Sequence, residues 1–331
     1  MIIDVHSHLA SEELLDFLVA HPEYGNQLER RGKGFYAAGY GPLDPPVWDL
    51  GLRLASLKKR KIDLQLVGPL NTLAHWPGGA PDVAYGRLIN KHTAKMVGQG
   101  EGRLKGLAVI AFGSPESAAD ELRRAVGEYG FVGAHIGISA GARPLDDPIY
   151  EPVWSVCEKL GLFVYMHPAN EVYYDRFKDF TLNTVILWPT ETCVAVSRLI
   201  CAGVLEQHPR LNLVLSHGGG TLPYLAVRLD RAWEAPKYEY NPALHKHIAK
   251  KPSAYLKQIC VDTCVFGANQ MDFLLKTFGP DRVLFGSDYP FEIGDAEGKK
   301  ALPIIKKLPK KTQAKIMAGN AARLLAKVRA G

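Results

Sequence analysis

The amino-acid sequence predicts an α/β protein, a closed (β/α)8 barrel, from three observations. Eight short apolar runs, most of them rich in β-branched residues, recur along the chain. Segments with the apolar spacing of amphipathic helices separate most of these runs, an alternation typical of a parallel sheet covered by helices. The turn after the first run is His6-Ser7-His8, without the glycines of a dinucleotide-binding loop, which favours a barrel over an open doubly wound sheet.

The predicted elements cover nearly the whole chain. Strands are expected at 2–5, 64–67, 106–110, 133–138, 162–166, 211–215, 258–262 and 283–285. Helices are expected at 50–60, 116–129, 149–160, 190–208, 222–233 and 270–278, with an amphipathic helical tail after residue 287. Residue types that begin or end helices agree with these bounds, since Ser114-Pro115 precedes one helix and Gly161 and Gly279 follow two others.

The segment 10–48 interrupts the alternation of strand and helix. It is rich in glycine and contains Pro42-Leu43-Asp44-Pro45-Pro46. So long an insertion between a strand and its helix is typical of a lid or a small cap over an active site. We therefore expect one domain spanning residues 1–331, with a lid or cap at about 10–48.

The composition is that of a globular protein, with 47% hydrophobic and 22% charged residues. The formal net charge is +6, but the basic residues are dispersed and form no stripe interleaved with aromatic residues. This distribution argues against nucleic-acid binding and suits an anionic small-molecule substrate.

The cysteines and the first residues bear on the cellular compartment. Five cysteines without a CxxC pair indicate reduced core thiols. The chain runs straight into its first strand without the pattern of a signal peptide, and no apolar run approaches the ~20 residues that span a bilayer. We therefore expect a cytoplasmic protein with no membrane partner.

Polar residues end several of the predicted strands, where barrel enzymes place their active sites. His6 and His8 follow strand one, His167 follows strand five, His217 follows strand six and Asp288 follows strand eight. Residues two apart on an extended strand point to the same side, so both His6 and His8 can face inward. A single histidine in such a place is more often a hydrogen-bonded core or rim residue. Imidazoles and a carboxylate together at one mouth predict a Zn²⁺-type catalytic site.

Four segments of the sequence resemble the amidohydrolase superfamily. They are DVHSH at 4–8, SHGGG at 216–220, GSDYPF at 286–291 and MAGNA at 317–321. The resemblance runs nearly end to end and includes the insertion after strand one. It is strongest to the branch typified by α-amino-β-carboxymuconate-ε-semialdehyde decarboxylase, with the γ-resorcylate and 5-carboxyvanillate decarboxylases and 4-oxalomesaconate hydratase nearby. This resemblance implies the same barrel fold and a metal-dependent reaction.

The resemblance also implies individual roles. His6, His8, His167 and Asp288 correspond to the metal ligands of the family, and Asp288 and His217 to its proton-transfer residues. Two-metal members of the superfamily carry a modified lysine at the end of strand four. Here that strand ends without a lysine, which favours one divalent ion, Zn²⁺ in the first place and Mn²⁺ as the alternative.

Other residues are candidates for contact with a substrate. Arg228 matches an arginine that the decarboxylase dimer offers to its neighbour's substrate carboxylate, which implies a homodimer; the alternative is an ion pair on a helix surface. Asn170 and His75 are candidate contacts, with turn formation and rim packing as their alternatives. A family tryptophan between strands five and six is displaced to Trp188. The family's substrate-binding arginine is missing from segment 34–40, which argues against the semialdehyde itself as substrate.

The function expected from these residues is metal-dependent, non-oxidative decarboxylation of a small unsaturated or aromatic carboxylic acid. The first alternative is a hydratase or hydrolase that uses the same pocket on a double bond, lactone or amide. The second is a non-catalytic barrel that binds a ligand or acts as a scaffold, which a complete ligand set disfavours.

Overall fold

Eight parallel strands, hydrogen-bonded in chain order, form the central sheet of the computed structural model. The structure describes residues 1–24, 28–37, 41–70, 73, 83–110, 114–140, 143–169, 175–235 and 244–329. The strands are β1 (Ile3–Asp4), β2 (Leu64–Pro69), β3 (Leu104–Val109), β4 (Gly133–Ile136), β5 (Phe163–Met166), β6 (Asn212–Leu215), β7 (Cys260–Asp262) and β8 (Val283–Leu284), and a short strand, His8–Leu9, extends the edge of β1 along β2.

The first and last strands meet and complete the barrel. The backbone N–H of Val5 donates to the carbonyl of Phe285 at 2.9 Å, and Ser7 forms a parallel bridge with Tyr289. The predicted (β/α)8 barrel is therefore confirmed.

Helices cover the outside of the barrel. The α-helices are Glu12–Ala20, Leu50–Arg60, Val83–Gly98, Pro115–Tyr129, Glu151–Lys159, Trp188–Cys201, Val204–Gln207, Leu222–Glu234, Leu244–His247, Ala268–Phe278, Ala301–Ile305, Lys310–Ala314 and Asn320–Leu325. The predicted helix 190–208 was wrong in one respect, because Gly203 (φ 83°) leaves helical geometry and divides it in two. The tail is helical only from Ala301 onward, since turns occupy the residues after Asp288.

Side chains that alternate in direction along each strand divide the apolar residues between two cores. Leu66, Tyr165 and Val214 lie in a cluster inside the barrel, whereas their neighbours Val67, Val164 and Leu213 belong to the large cluster shared with the outer helices. Successive side chains of a strand point to opposite faces, so each strand contributes to both cores.

The insertion between β1 and the Leu50–Arg60 helix has its own secondary structure and core. It contains the Glu12–Ala20 helix and an antiparallel sheet of Leu28–Arg31, Gly34–Ala37 and Gly41–Pro42. Its core includes Leu15 and Phe35 and extends to Leu70 and Val109, which lie at the carboxyl ends of β2 and β3. The insertion therefore packs beside the mouth of the barrel.

One helical stretch, Asn183–Cys201, is long and apolar enough to cross a membrane, with a mean hydropathy of 1.3. The expectation that no apolar run approaches this length was therefore wrong. Val196, Leu199 and Ile200 of this stretch are buried in the core between barrel and helices. The stretch is an outer helix of the barrel, and packing accounts for the apolar residues on its inner side.

Candidate metal centre

The predicted metal ligands converge at the carboxyl ends of the strands. One nitrogen from each of His6, His8 and His167 and one oxygen of Asp288 all lie within 4.8 Å of one another, and all four residues are buried. His217 lies beside them, with its ring 4.8 Å from that of His167 and its Nε2 atom 3.6 Å from Asp288 Oδ2. The five residues that the sequence singled out therefore share one site.

The backbone at this site takes unusual conformations. Asp288 has φ of 59° and His217 has φ of 52°, in the left-handed region that side-chain-bearing residues avoid. Gly286 allows a close approach, since a Cβ atom there would lie 2.9 Å from the Cβ atoms of both His6 and Asp262. Strained residues of this kind cluster at functional sites, which agrees with the position of His217 and Asp288.

Hydrogen bonds on the outer side of the rings fix the tautomer of each histidine ligand. The Nδ1 atom of His6 donates to Asp262 Oδ2 at 2.7 Å, that of His8 to the carbonyl of Pro69 at 3.1 Å, and that of His167 to the carbonyl of Pro168 at 2.6 Å. Carbonyl and carboxylate oxygens only accept, so Nδ1 carries the hydrogen in every case. Each Nε2 atom can then present its lone pair to a common centre.

The four inward-facing atoms have no hydrogen-bond partner outside their own group. They are the Nε2 atoms of His6, His8 and His167 and Oδ1 of Asp288, all buried. Within the group, the Nε2 atoms of His6 and His8 lie 3.0 and 3.2 Å from Asp288 Oδ1. A buried polar atom left unsatisfied costs roughly 1–3 kcal/mol, so a cluster of such atoms requires a partner. A divalent cation would satisfy all four at once, because three imidazoles and a carboxylate are a typical ligand set for Zn²⁺ and related ions. The residues present therefore fit the metal that the sequence predicts.

Neighbouring charges stabilise the ionised forms of His6 and Asp288. Burial alone would lower the pKa of His6, but Asp288 and Asp262 raise it to about 10. Burial would likewise raise the pKa of Asp288, yet His6, His217 and His8 hold it well below its usual range. Without an ion, His6 is therefore a cation at neutral pH, with a hydrogen on both ring nitrogens. A cation at Nε2 displaces that proton, so metal affinity is expected to fall as the pH is lowered.

The other two histidine ligands are already neutral. Burial lowers the pKa of His8 and lowers that of His167 well below its ordinary value. His135, on β4, is also fully buried and its pKa is lowered in the same way. Its ring stacks near that of His167, with centroids 5.8 Å apart. A further buried histidine therefore stands on β4, beside the rings of His8 and His167.

Sequence reasoning missed the supports beneath the ligands. Asp262, at the end of β7, accepts from His6 and from the hydroxyl of Tyr165, the latter at 2.9 Å. The backbone N–H groups of Gly218 and Cys264 donate to its other oxygen, each at 3.0 Å. The rule that found the ligands would also have found Asp262, because it is the polar residue that ends predicted strand seven.

The predicted substrate contacts have different outcomes. Trp188 is buried with its ring 6.2 Å from that of His167, and Phe291, which the sequence analysis did not single out, lies 5.4 Å from the ring of His8. Arg228 is exposed on the outer Leu222–Glu234 helix. His75 and Asn170 lie outside the residues that the structure describes.

Comparison with known proteins identifies the family. The sequence model of the family described as "Amidohydrolase" matches residues 3–327, nearly the whole chain. The chain belongs to the amidohydrolase family. The chain is also 31% identical over 287 residues to 2-amino-3-carboxymuconate-6-semialdehyde decarboxylase from Dictyostelium discoideum. This match covers 86% of this chain and 78% of that protein.

Two further comparisons are with proteins that are also named decarboxylases. The chain is 33% identical over 230 residues to γ-resorcylate decarboxylase from Rhodococcus jostii, covering 64% of this chain and 68% of that one. A solved 5-carboxyvanillate decarboxylase from Novosphingobium aromaticivorans, complexed with manganese and 4-hydroxy-3-methoxy-5-nitrobenzoic acid, superposes with a TM-score of 0.82. Its sequence is 21% identical, and the match covers 98% of this chain and 96% of that one, which shows a shared fold.

Replacing Asp262 with Asn should weaken metal binding. The amide keeps one oxygen for Gly218 and Cys264 but turns an NH₂ group toward His6 Nδ1, so the ring loses the acceptor that orients it. Loss of such a partner typically costs about 10–100-fold in metal affinity. Competition for Zn²⁺ against a chromogenic chelator measures the change. Asp146→Asn, which removes a carboxylate paired with Arg198 on the surface, is the control; equal affinities for both variants would refute the role of Asp262.

Proposed function

We propose that this chain is a metal-dependent carboxy-lyase that removes CO2, without oxidation, from a small unsaturated or aromatic carboxylic acid. The observation that carries this proposal is the set of four buried ligand atoms that converge beside His217. Two relatives named as decarboxylases support the reaction class.

Loss of CO2 from an unsaturated acid leaves an electron pair on carbon and requires a proton to replace the carboxylate. A divalent ion, when bound, supplies Lewis-acid polarisation of the substrate's oxygen atoms. His6, His8, His167 and Asp288 would hold that ion at the mouth of the barrel. Their Nδ1 bonds keep the three rings from turning away, so the site is organised before substrate arrives.

His217 is the proposed proton carrier. Its side chain is 17% exposed, the only one of the four site histidines His6, His8, His167 and His217 that is not fully buried, so it can reach a substrate in the mouth. Its Nε2 atom faces Asp288 Oδ2 at 3.6 Å, a carboxylate that can stabilise the protonated ring. The pair can therefore hold a proton and deliver it to the carbon that loses CO2.

Aromatic side chains beside the ligands suit an unsaturated or aromatic acid. Trp188 and Phe291 lie next to the rings of His167 and His8, respectively. Flat apolar surfaces of this kind pack against a conjugated substrate, while polar groups orient its carboxylate. We retain Asn170 and His75 as proposed contacts of that substrate.

Zn²⁺ is the proposed metal, with Mn²⁺ as the alternative. Three imidazole ligands favour Zn²⁺, whereas the manganese in the solved 5-carboxyvanillate decarboxylase favours Mn²⁺. The alternative of a hydratase or hydrolase is not favoured, because the relatives are named decarboxylases. Incubation of the metal-loaded enzyme with hydroxybenzoic and muconate-type acids tests the reaction class, since release of CO2 supports it and a hydrated or hydrolysed product refutes it.

Replacing His217 with Ala should leave the metal in place and lower turnover about 100-fold or more, the usual scale for a general acid–base group. The ring is not among the four atoms that face the proposed ion, so occupancy should not change. Metal content by elemental analysis and kcat by CO2 release are the two measurements. Near-normal kcat at full occupancy would make His217 a structural residue.

The outer surface of the chain supports a homodimer. Tyr224 is 79% exposed and Val227 68% exposed, and Arg228 lies on the same face of the Leu222–Glu234 helix. The neighbouring helical stretch exposes Val185, Ile186 and Val194. Within the described part of the chain Arg228 has no ion-pair partner. We propose that a second copy covers these apolar residues and receives Arg228 near its substrate carboxylate.

Mixing two defective variants should restore activity if Arg228 acts across this interface. A dimer of one His217→Ala subunit and one Arg228→Ala subunit has one pocket with both defects and one intact pocket. Equal mixing should therefore give about a quarter of wild-type activity, assayed below KM, because half of the dimers are mixed. No gain after subunit exchange, verified by mass spectrometry of a tagged subunit, would show that Arg228 does not serve its neighbour.

The insertion and the compartment complete the proposal. We propose that residues 10–48 act as a lid, because their core packs against Leu70 and Val109 beside the site. All five cysteines are free and four are buried, which suits the reducing cytoplasm.

A further inference from the structure

A buried polar network lies where the first and last strands of the barrel meet. Asp4, Arg53, Gln65 and Ser287 are its members, and each is 0% exposed. None of them is among the proposed metal ligands. The sequence places Arg53 on an amphipathic helix, where a charged residue would ordinarily face solvent.

Asp4 joins the two ligand-bearing segments. Its Oδ1 atom accepts from the backbone N–H of Ser287 at 3.0 Å and from that of His6 at 3.3 Å. Its Oδ2 atom accepts from the hydroxyl of Ser287 at 2.6 Å. One carboxylate therefore holds the backbone of His6 and the residue just before Asp288.

Arg53 extends the network to the other histidine ligand. Its guanidinium donates to the backbone carbonyl of His8, to Gln65 Oε1 at 2.7 Å and to the carbonyl of Pro46 at 3.1 Å. The amide of Gln65 in turn donates to Asp4 Oδ2 at 2.9 Å. The chain of bonds thus runs without a gap from the carbonyl of His8 to Ser287.

Tyr289, next to Asp288, lies under the same guanidinium. The Arg53 carbon Cζ is 4.9 Å from the centre of the Tyr289 ring, and that of Arg60 is 4.2 Å from it. Burial lowers the pKa of Arg53 to about 10, so the group still carries its charge at neutral pH. A buried charge destabilises a fold unless its donors are satisfied, and here the carbonyls of His8 and Pro46 and the Oε1 atom of Gln65 accept from the guanidinium.

The network lies where the strand pairing is short. β5 and β6 pair at four residues, whereas β1 and β8 are joined by one bridge and three backbone hydrogen bonds, two of which link His6 and His8 to Tyr289. His6 and His8 lie on one side of this short seam and Asp288 on the other. Small shifts along the seam would change the distance between the nitrogen atoms and the carboxylate, to which metal affinity is sensitive.

We propose that Asp4, Arg53, Gln65 and Ser287 form a brace that sets the spacing between the histidine pair and Asp288, and thereby the affinity for the metal. The inference rests on the metal site of the proposed function. The four residues are positioning residues, since none of them faces the ion.

The test is metal affinity in Arg53→Met, which keeps the apolar length of the side chain and removes every donor. The dissociation constant for Zn²⁺, from chelator competition, should rise at least about tenfold. Arg53→Lys should recover part of the loss, because an ammonium can still donate to the carbonyl of His8. The matched control is Arg103→Met, which removes an arginine bonded to the carbonyl of Ile62 at the opposite end of the barrel. It should change thermal stability and leave Zn²⁺ affinity unaltered.

A second variant protects the test against misfolding. Ser287→Ala removes one hydroxyl bond to Asp4 without altering charge and should weaken Zn²⁺ binding in the same direction, with far-UV circular dichroism unchanged. Zn²⁺ affinity within twofold of wild type in both Ser287→Ala and Arg53→Met, or in Ser287→Ala alone if Arg53→Met does not fold, overturns the brace. A wild-type protein that binds Zn²⁺ but releases no CO2 from any acid overturns the function alone, because the affinity comparison stands without activity.

Discussion

One constraint governs the site: three imidazole rings and one carboxylate aim four buried atoms at a common point inside a folded protein. Leaving those atoms without partners would cost several kcal/mol in total by ordinary estimates. The hydrogen bonds from Nδ1 to Asp262, Pro69 and Pro168 hold the rings in this arrangement. A site so fixed is organised for a cation before the cation binds.

The barrel supplies this geometry because its strands carry the ligands at one end. The ligands come from the ends of β1, β5 and β8. Of these strands, β1 and β8 are neighbours, and they meet where the barrel closes. That closure has few backbone bonds, and buried polar groups around Asp4 join its two sides. The same seam therefore both closes the barrel and carries metal ligands. The strained backbone at Asp288 lies there, and that at His217 lies nearby at the end of β6.

Much of this arrangement was predictable from sequence. Apolar periodicity predicted all eight strands, and polar residues at strand ends predicted the convergence of His6, His8, His167, His217 and Asp288. Such patterns are local, so they survive in the sequence. Arg53 was not predictable, because it lies on a helix and its partners Gln65 and His8 are brought to it only by folding. The split at Gly203 depends on one dihedral angle that periodicity does not reveal.

Anomalous diffraction from crystals grown with Zn²⁺ or Mn²⁺ tests the metal site most directly. The expected result is a single peak per chain, about 2.0–2.2 Å from the Nε2 atoms of His6, His8 and His167 and from an oxygen of Asp288. Ligation through Nδ1, a peak bound by other residues, or no peak at the mouth of the barrel would contradict it.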